Sequence, residues 1–230
     1  MALGFNDVNG SARKSDVTYM KLVDGENTFR ILPNSLLPSY TYWVKGAPGS
    51  DGKVREMPFE CLQFTPKTER FDNSIACPIR DRNLRNYNDA SKPLASSWSY
   101  KCLVINKATG KVEVLQLKKG IMEGIKDVSS QLGIDPTDFE KGTWFTVVRK
   151  KTGPLAYNVD YSVSQLKCRS EALSPELVEL AEASKSIDEM FPRETYAEQS
   201  ARLDRHLSGD TGRNNEAASA SANEAIADLD

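Results

Sequence analysis

Ser99-Tyr100-Lys101-Cys102-Leu103-Val104-Ile105-Asn106, Lys107-Ala108-Thr109-Gly110 and Val112-Glu113-Val114-Leu115-Gln116-Leu117 form the stretch that decides the fold. Apolar and β-branched residues fill both runs, and the four residues between them have turn composition, so the stretch reads as a β-hairpin. Ile121, Ile125, Val128 and Leu132 then recur at helical spacing, with Gly133 as a C-terminal stop. A second hairpin is expected from Thr143 to Arg149, turning at Lys150-Lys151-Thr152-Gly153 and returning from Leu155 to Tyr161.

Upstream, Val17 to Val23 and Thr28 to Leu32 flank the turn-like Asp24-Gly25-Glu26-Asn27, which predicts another hairpin. Thr41 to Lys45 and Val54 to Leu62 read as short strands, while residues 63–97 are polar, basic and irregular. Short strands punctuated by turns, with one helix between the later pairs, predict a mainly β chain: an OB-fold β-barrel with an irregular insert. Downstream, Ser174 and Pro175 open a helical pattern through Leu177, Leu180, Ile187 and Phe191, broken by Pro192. Thr195 and Glu198 then make a capping-box pattern ahead of Tyr196, Leu203 and Leu207. The expected divisions are a flexible basic arm at 1–16, the OB domain at 17–168, a helical segment at 169–207 and a disordered acidic tail at 208–230.

Charge is unevenly divided. Residues 1–170 carry 25 Lys+Arg against 18 Asp+Glu, and residues 171–230 carry 5 against 14, so a net −2 hides a basic body and an acidic end. A cationic surface attracts polyanions, and an anionic arm competes for it. The positive excess is densest at 80–119, with 9 bases against 3 acids and with Tyr87, Trp98 and Tyr100 among them. Cations that track phosphates, interleaved with flat side chains on which bases stack, are what single-strand binding without sequence preference requires. In extended chain, Trp98, Tyr100, Cys102 and Val104 share one face, either a core face or a core face that ends in an exposed aromatic.

The phosphate contacts expected are Lys45, Arg55, Arg80, Arg82, Arg85, Lys101, Lys107, Lys111, Arg149, Lys150 and Lys151, with stacking from Trp43, Tyr87, Trp98 and Tyr100. At the end of the tail, Ile226 and Leu229 with Asp228 and Asp230 have the make-up of a short peptide for a partner's basic-rimmed pocket. Single-stranded DNA is the expected polymer, with double-stranded DNA or RNA as the rival ones.

Catalysis finds no support: there is no Walker-type loop, and the one histidine, His206, lies in the predicted tail helix. A metal-dependent nuclease built from the body's dispersed acids is the enzyme rival. Cys61, Cys77, Cys102 and Cys168 are too sparse for a disulfide scaffold and fit reduced thiols in a cytoplasm. Without a CxxC they fall short of the four ligands of structural zinc. No cofactor, metal, signal segment or membrane span is expected.

Four stretches carry a resemblance. They are Asp24 to Pro33, Phe59-Glu60-Cys61 with Ala76-Cys77-Pro78-Ile79, Trp98 to Leu117, and Gly142 to Arg149 followed by Tyr157. In order and spacing the chain resembles the single-stranded-DNA-binding (helix-destabilising) proteins of tailed bacteriophages over roughly residues 17–162. The resemblance implies an OB core, a basic N-terminal arm that promotes self-association along DNA, and an acidic C-terminal region that recruits replication and recombination proteins. Arg13-Lys14-Ser15 is similar to the arm's motif. T-even-type members hold zinc with one histidine and three cysteines; here Arg80 stands at the last cysteine's position and no histidine precedes Cys61. The resemblance therefore implies an insert held by packing or ordered by DNA.

Overall fold

The computed structural model describes residues 17–49, 52–155 and 158–209. Its centre is β6 (Ser96–Asn106), which pairs along its length with β7 (Lys111–Lys118), as the hairpin pattern predicts. The opposite edge of β6 is shared. β2 (Leu37–Lys45) takes the first half, from Tyr42↔Ser96 to Leu37↔Lys101, and β1 (Gly25–Ile31) takes the end, from Ile31↔Val104 to Phe29↔Asn106. β1 then runs on against β8 (Thr143–Lys151), whose far edge carries β9 (Val159–Val163) and β10 (Arg169–Ser170). β3 (Glu56–Glu60) lies outside β2. The result is an open antiparallel sheet. No ladder joins β7 to β9 among the described residues, and α2 (Lys119–Leu132) packs against both of them. The expectation of a closed barrel is met only as far as a mainly β, antiparallel architecture.

Side-chain alternation explains why β6 is so apolar. Its inner face, with Tyr100, Cys102 and Val104, meets Phe29, Phe145, Leu115 and α2's Ile121, Ile125 and Val128. Its outer face, with Leu103 and Ile105, meets Leu32, Val114, Trp144, Leu173 and Ile187. A strand buried on both faces reads as a continuous apolar run, and each fully buried large side chain stabilises the fold by roughly 1.5–3 kcal/mol. Gly133 ends α2 in the left-handed region at φ 64, where its N–H bonds to Ser129, but Leu132 is 45% exposed rather than part of the buried stripe.

Three expectations need correction. Val17 to Val23 does not fold back on β1. Asn27 closes a local loop with Val23, 2.8 Å to its N–H and 2.8 Å to its carbonyl, and residues 18–20 bond instead to Val114 of β7. Lys150 and Lys151 lie on β8, and the turn follows, with Thr152 N–H donating to Asn158 at 2.7 Å; Tyr157 is outside the described residues. The helix expected from Ser174 divides into α3 (Pro175–Glu182) and α4 (Ile187–Met190), because Ser186 and Glu189 form a capping box of their own. The Thr195–Glu198 capping box opens α5 (Tyr196–Ser208) as its pattern predicts.

Arg30 is fully buried and caps the carbonyls of Glu171, at 2.7 Å, and Asp138, tying two loops to β1. Arg30→Met leaves the Glu171 carbonyl without its donor and the Asp138 carbonyl with only the Gly142 N–H. Urea denaturation is expected to show a loss of about 2–4 kcal/mol, and a change below about 0.5 kcal/mol would refute this bracing role.

Candidate nucleic-acid interface

The insert between β3 and β6 has little regular structure: β4 (Phe64–Thr65), β5 (Arg70–Phe71) and the one-turn α1 (Pro78–Asp81). Its core is Cys61, Leu62, Phe64, Cys77 and Ile79, packed on Tyr42, Val44 and Phe59 of the β2–β3 ribbon and on Leu203 of α5. Tyr42 donates to the Cys61 sulfur at 3.6 Å, and Arg80 bonds to the Tyr42 hydroxyl. The Cys61 thiol donates to Cys77, which raises the pKa of Cys61 and lowers that of Cys77; backbone N–H groups of Leu62, Arg80 and Ile79 add to the latter. Two thiols, a phenol and a guanidinium do not suit zinc, because the fixed positive charge stands where a donor would be needed.

Side chains from the C-terminal segment hold this region. Arg193 donates to the carbonyls of Cys61, Leu62 and Phe64 at 3.2, 2.7 and 2.6 Å. Gln199 reaches Glu60 at 2.9 Å, Arg202 reaches Pro58 at 3.0 Å, and the buried His206 ring bonds Val44 at 2.7 Å. Gly46 permits the last contact, since a Cβ there would sit 2.7 Å from the His206 ring.

Two sets of aromatic and cationic residues border the insert. In the first, Tyr40 lies 4.9 Å from Phe64, 4.8 Å from Phe71 and 6.3 Å from Trp98, measured between ring centroids, and Trp98 lies 4.4 Å from Tyr100. This ridge begins in the core and surfaces at Phe71, which is 45% exposed, while Trp98 is half-buried. The exposed Arg70 precedes Phe71, and Lys126 of α2 sits 5.6 Å from the Tyr100 ring centroid. Tyr100 itself is 3% exposed and donates to Glu69 at 2.7 Å, so as folded it offers no face to a base. Burial pushes its pKa up, with the Glu69 bond adding to the shift. Sequence reading missed Arg70 and Phe71, because two-residue strands leave no alternation to detect, and missed Tyr40 of β2 and Lys126 of α2, whose place at the ridge depends on partners distant in sequence.

In the second set, Tyr87 is 44% exposed, and its hydroxyl accepts from the Lys45 backbone N–H at 2.6 Å. The Lys45 ammonium lies 4.6 Å from the Tyr87 ring and 3.7 Å from Glu56. Half-buried Trp43 shares the outer face of β2 with Lys45, and Arg55 is exposed at the foot of β3. Arg80 and Arg85 are exposed, whereas Arg82 is bound to Asp204 of α5.

The remaining expected contacts are elsewhere. Lys101 lies beneath Phe191, 4.6 Å from its ring, with its pKa lowered by desolvation, so it belongs to the packing of the helical segment. Lys107 lies 5.0 Å from the Trp144 ring and 3.8 Å from Glu171. Eight residues of β6, on the order of 30 Å of extended chain, separate it from Trp98. Exposed Lys111 shares that end of the β6–β7 hairpin. Arg149 is paired with Asp24, while Lys150 and Lys151 are exposed at the end of β8. Arg13, Lys14, Ile226, Asp228, Leu229 and Asp230 lie outside the described residues.

No family model matches the chain. Along its whole length it is similar to a protein of Escherichia phage T5 described as a probable ssDNA-binding protein. The two are 24% identical over 270 aligned positions that cover all of both chains. The phage relative bears out the resemblance drawn from the sequence. Among the described residues no helix is long and apolar enough to cross a membrane, and no group of three or more His, Cys, Asp or Glu is placed to hold a metal.

The burial of the ridge sets a stability test. Tyr100→Phe removes the Glu69 hydrogen bond and is expected to cost about 1 kcal/mol in chemical denaturation. Phe71→Ala, at the exposed end, is expected to cost less than Phe64→Ala, which empties a buried site worth roughly 3–5 kcal/mol. The reverse order would mean that Phe71 is the core residue.

Proposed function

We propose that this chain is a non-enzymatic, sequence-nonspecific single-stranded-DNA-binding protein. The observation that carries the reading is the aromatic ridge that surfaces at Phe71, next to Arg70, and has Lys126 at its Tyr100 end. Bases stack on Phe71 and Trp98, and phosphates run past Arg70 and Lys126 toward Lys45, Arg80 and Arg85, with Tyr87 as a second platform. The full-length similarity to the phage T5 protein supports the same polymer. We read the sheet as of OB type. Bent β1 and β2 act together as the first strand, β6 and β7 as the second and third, and β8 and β9 as the last two, with α2 between the third and fourth. On this reading residues 17–168 are the binding domain, 169–207 a helical brace, and 1–16 an arm for self-association along DNA. Residues 208–230 are an acidic tail that competes with DNA and presents Ile226, Asp228, Leu229 and Asp230 to replication or recombination proteins in the host cytoplasm.

Tryptophan fluorescence titrated with oligo-dT at several salt concentrations tests the reading. Quenching is expected, with log affinity falling linearly in log salt, and Phe71→Ala is expected to weaken binding about 5- to 100-fold. Absence of both quenching and a salt slope would overturn it. Parallel titrations with RNA and duplex DNA separate the polymers, and a divalent-metal cleavage assay tests the nuclease alternative.

Removing residues 210–230 deletes acidic charge without touching α5. The shortened chain is expected to bind oligo-dT more tightly at low salt, with the gain shrinking as salt screens the tail. Equal or weaker affinity would sink the competition.

A further inference from the structure

A cavity of about 200 Å³ opens in the insert between α1 and the loop that follows it. Its apolar walls are Ile79, Leu84, Pro93 and Leu94, and its polar edge is Arg80, Asn83 and Tyr42. We propose that this cavity is a nucleobase subsite, into which one base of the bound single strand is turned out of the stack. The proposal rests on the single-strand reading above and deepens it by naming a place where the protein takes a base rather than a phosphate.

Three observations carry it. The chemistry of the lining suits a flat heterocycle, with aliphatic slabs for the ring faces and a guanidinium fork and an amide for its carbonyl and N–H edge. The polar groups are also uncommitted. Arg80 is exposed and bonded only to the Tyr42 hydroxyl, with no carboxylate paired to it among the described residues. The Asn83 side chain is exposed and has no hydrogen-bond partner among the described residues, and its backbone sits at φ 51, which aims the chain sharply out of α1. The Tyr42 hydroxyl spends its proton on Cys61, which leaves its lone pairs toward Arg80 at the cavity edge.

The third observation is that the wall is built in advance. Leu94 N–H donates to Leu84 at 2.8 Å and Asn86 N–H to the Lys92 carbonyl at 3.0 Å, which closes residues 84–94 into a small hairpin. The Tyr87 hydroxyl, holding Lys45 N–H at 2.6 Å, pins that hairpin to β2. A pocket fixed before its ligand arrives spends little affinity on ordering itself. The volume lies below the ~300–1,000 Å³ of drug-sized ligand sites, which suits one base and rejects a base pair. Arg85 and Lys92 stand on the hairpin beside the cavity, where the phosphates flanking a turned-out base would run.

The test is photocrosslinking of the full chain to oligo-dT carrying 4-thiothymine, with the adduct mapped by peptide mass spectrometry. Adducts are expected within residues 79–94. Leu84→Trp fills the cavity and keeps every charge. It should weaken oligo-dT binding about tenfold and suppress the adduct, with the salt slope unchanged because no phosphate contact is lost. Asn83→Gly removes the amide while suiting the positive φ, and about threefold weaker binding is expected; if the bulky variant fails to fold, this one and the crosslink map decide. Adducts confined to other segments, or wild-type affinity in folded Leu84→Trp, would overturn the subsite while oligo-dT still quenches fluorescence. A wild-type chain that does not bind oligo-dT at all would instead remove the reading beneath it.

Discussion

Backbone carbonyls that need donors govern the half of this molecule that surrounds the insert. β3 is an edge strand, and the insert that follows it has only two-residue strands and a single helical turn with which to pair its own polar groups. An unpaired buried carbonyl costs on the order of 1–3 kcal/mol. Arg193, Gln199, Arg202 and His206 donate to the carbonyls of Phe64, Leu62, Glu60, Pro58 and Val44, and to that of Cys61, which also accepts from the Phe64 N–H at 3.1 Å. The row 199, 202 and 206 recurs at helical spacing along α5, so one helix face reads the carbonyls of the ribbon. The same face covers the edge of β3, which would otherwise be open to pairing with another chain. The C-terminal segment is thus part of the fold of the insert. A single arginine bonded to three carbonyls joins pieces of chain that have little secondary structure to join them.

What was legible in the sequence was local. The β6–β7 hairpin, α2 with its Gly133 cap and the Thr195–Glu198 box each carry their signal within a few residues, and each stands as read apart from Leu132, which lies outside α2's buried stripe. What was not legible depended on distant partners. The composition of Asp24 to Asn27 is that of a hairpin turn, yet Phe29 finds its neighbours at Asn106 and Phe145. The candidate site divides in the same way. Arg80, Arg85 and Tyr87 are exposed beside the insert, but Lys101 is under Phe191 and Tyr100 is in the core, because alternation along β6 cannot say which helices will later cover a face. Tyr40 and Phe71 carried no signal at all, since their meeting requires β4 and β5 to fold back onto β2.

The division of charge also changes meaning once the chain is folded. The acidic excess after residue 170 is not confined to the tail. Glu171 faces Lys107, and Asp204 holds Arg82, so ordered acids of the C-terminal segment already neutralise two cations of the basic stretch. The segment adds cations as well, and two of them are engaged with the ribbon and the segment itself: Arg193 lies near Glu60, and Arg202 is bound to Glu194, while Lys185 and Arg205 are exposed. The positive surface left to a polyanion is consequently narrower than 9 bases against 3 acids suggests. It gathers around the insert rather than along the whole of β6 and β7.

The exposed pairs are weak ties, and that bears on how a phosphate would compete for them. Both side chains of Arg82–Asp204 and of Lys107–Glu171 are more than a third exposed, and such pairs are worth ~0–1 kcal/mol. A phosphate that displaces Asp204 from Arg82 therefore gives up little. The bonds of Arg193 and Arg30 are different: Arg193, itself exposed, holds carbonyls of the buried Cys61, Leu62 and Phe64, and Arg30 is fully buried, so breaking either takes donors from backbone carbonyls. Charge exchange at the surface can then proceed without loosening α5 from the ribbon. Among the engaged cations, Arg30 and Arg193 brace carbonyls while Arg82 and Lys107 are held lightly by carboxylates, and the division follows the kind of partner rather than position in the sequence.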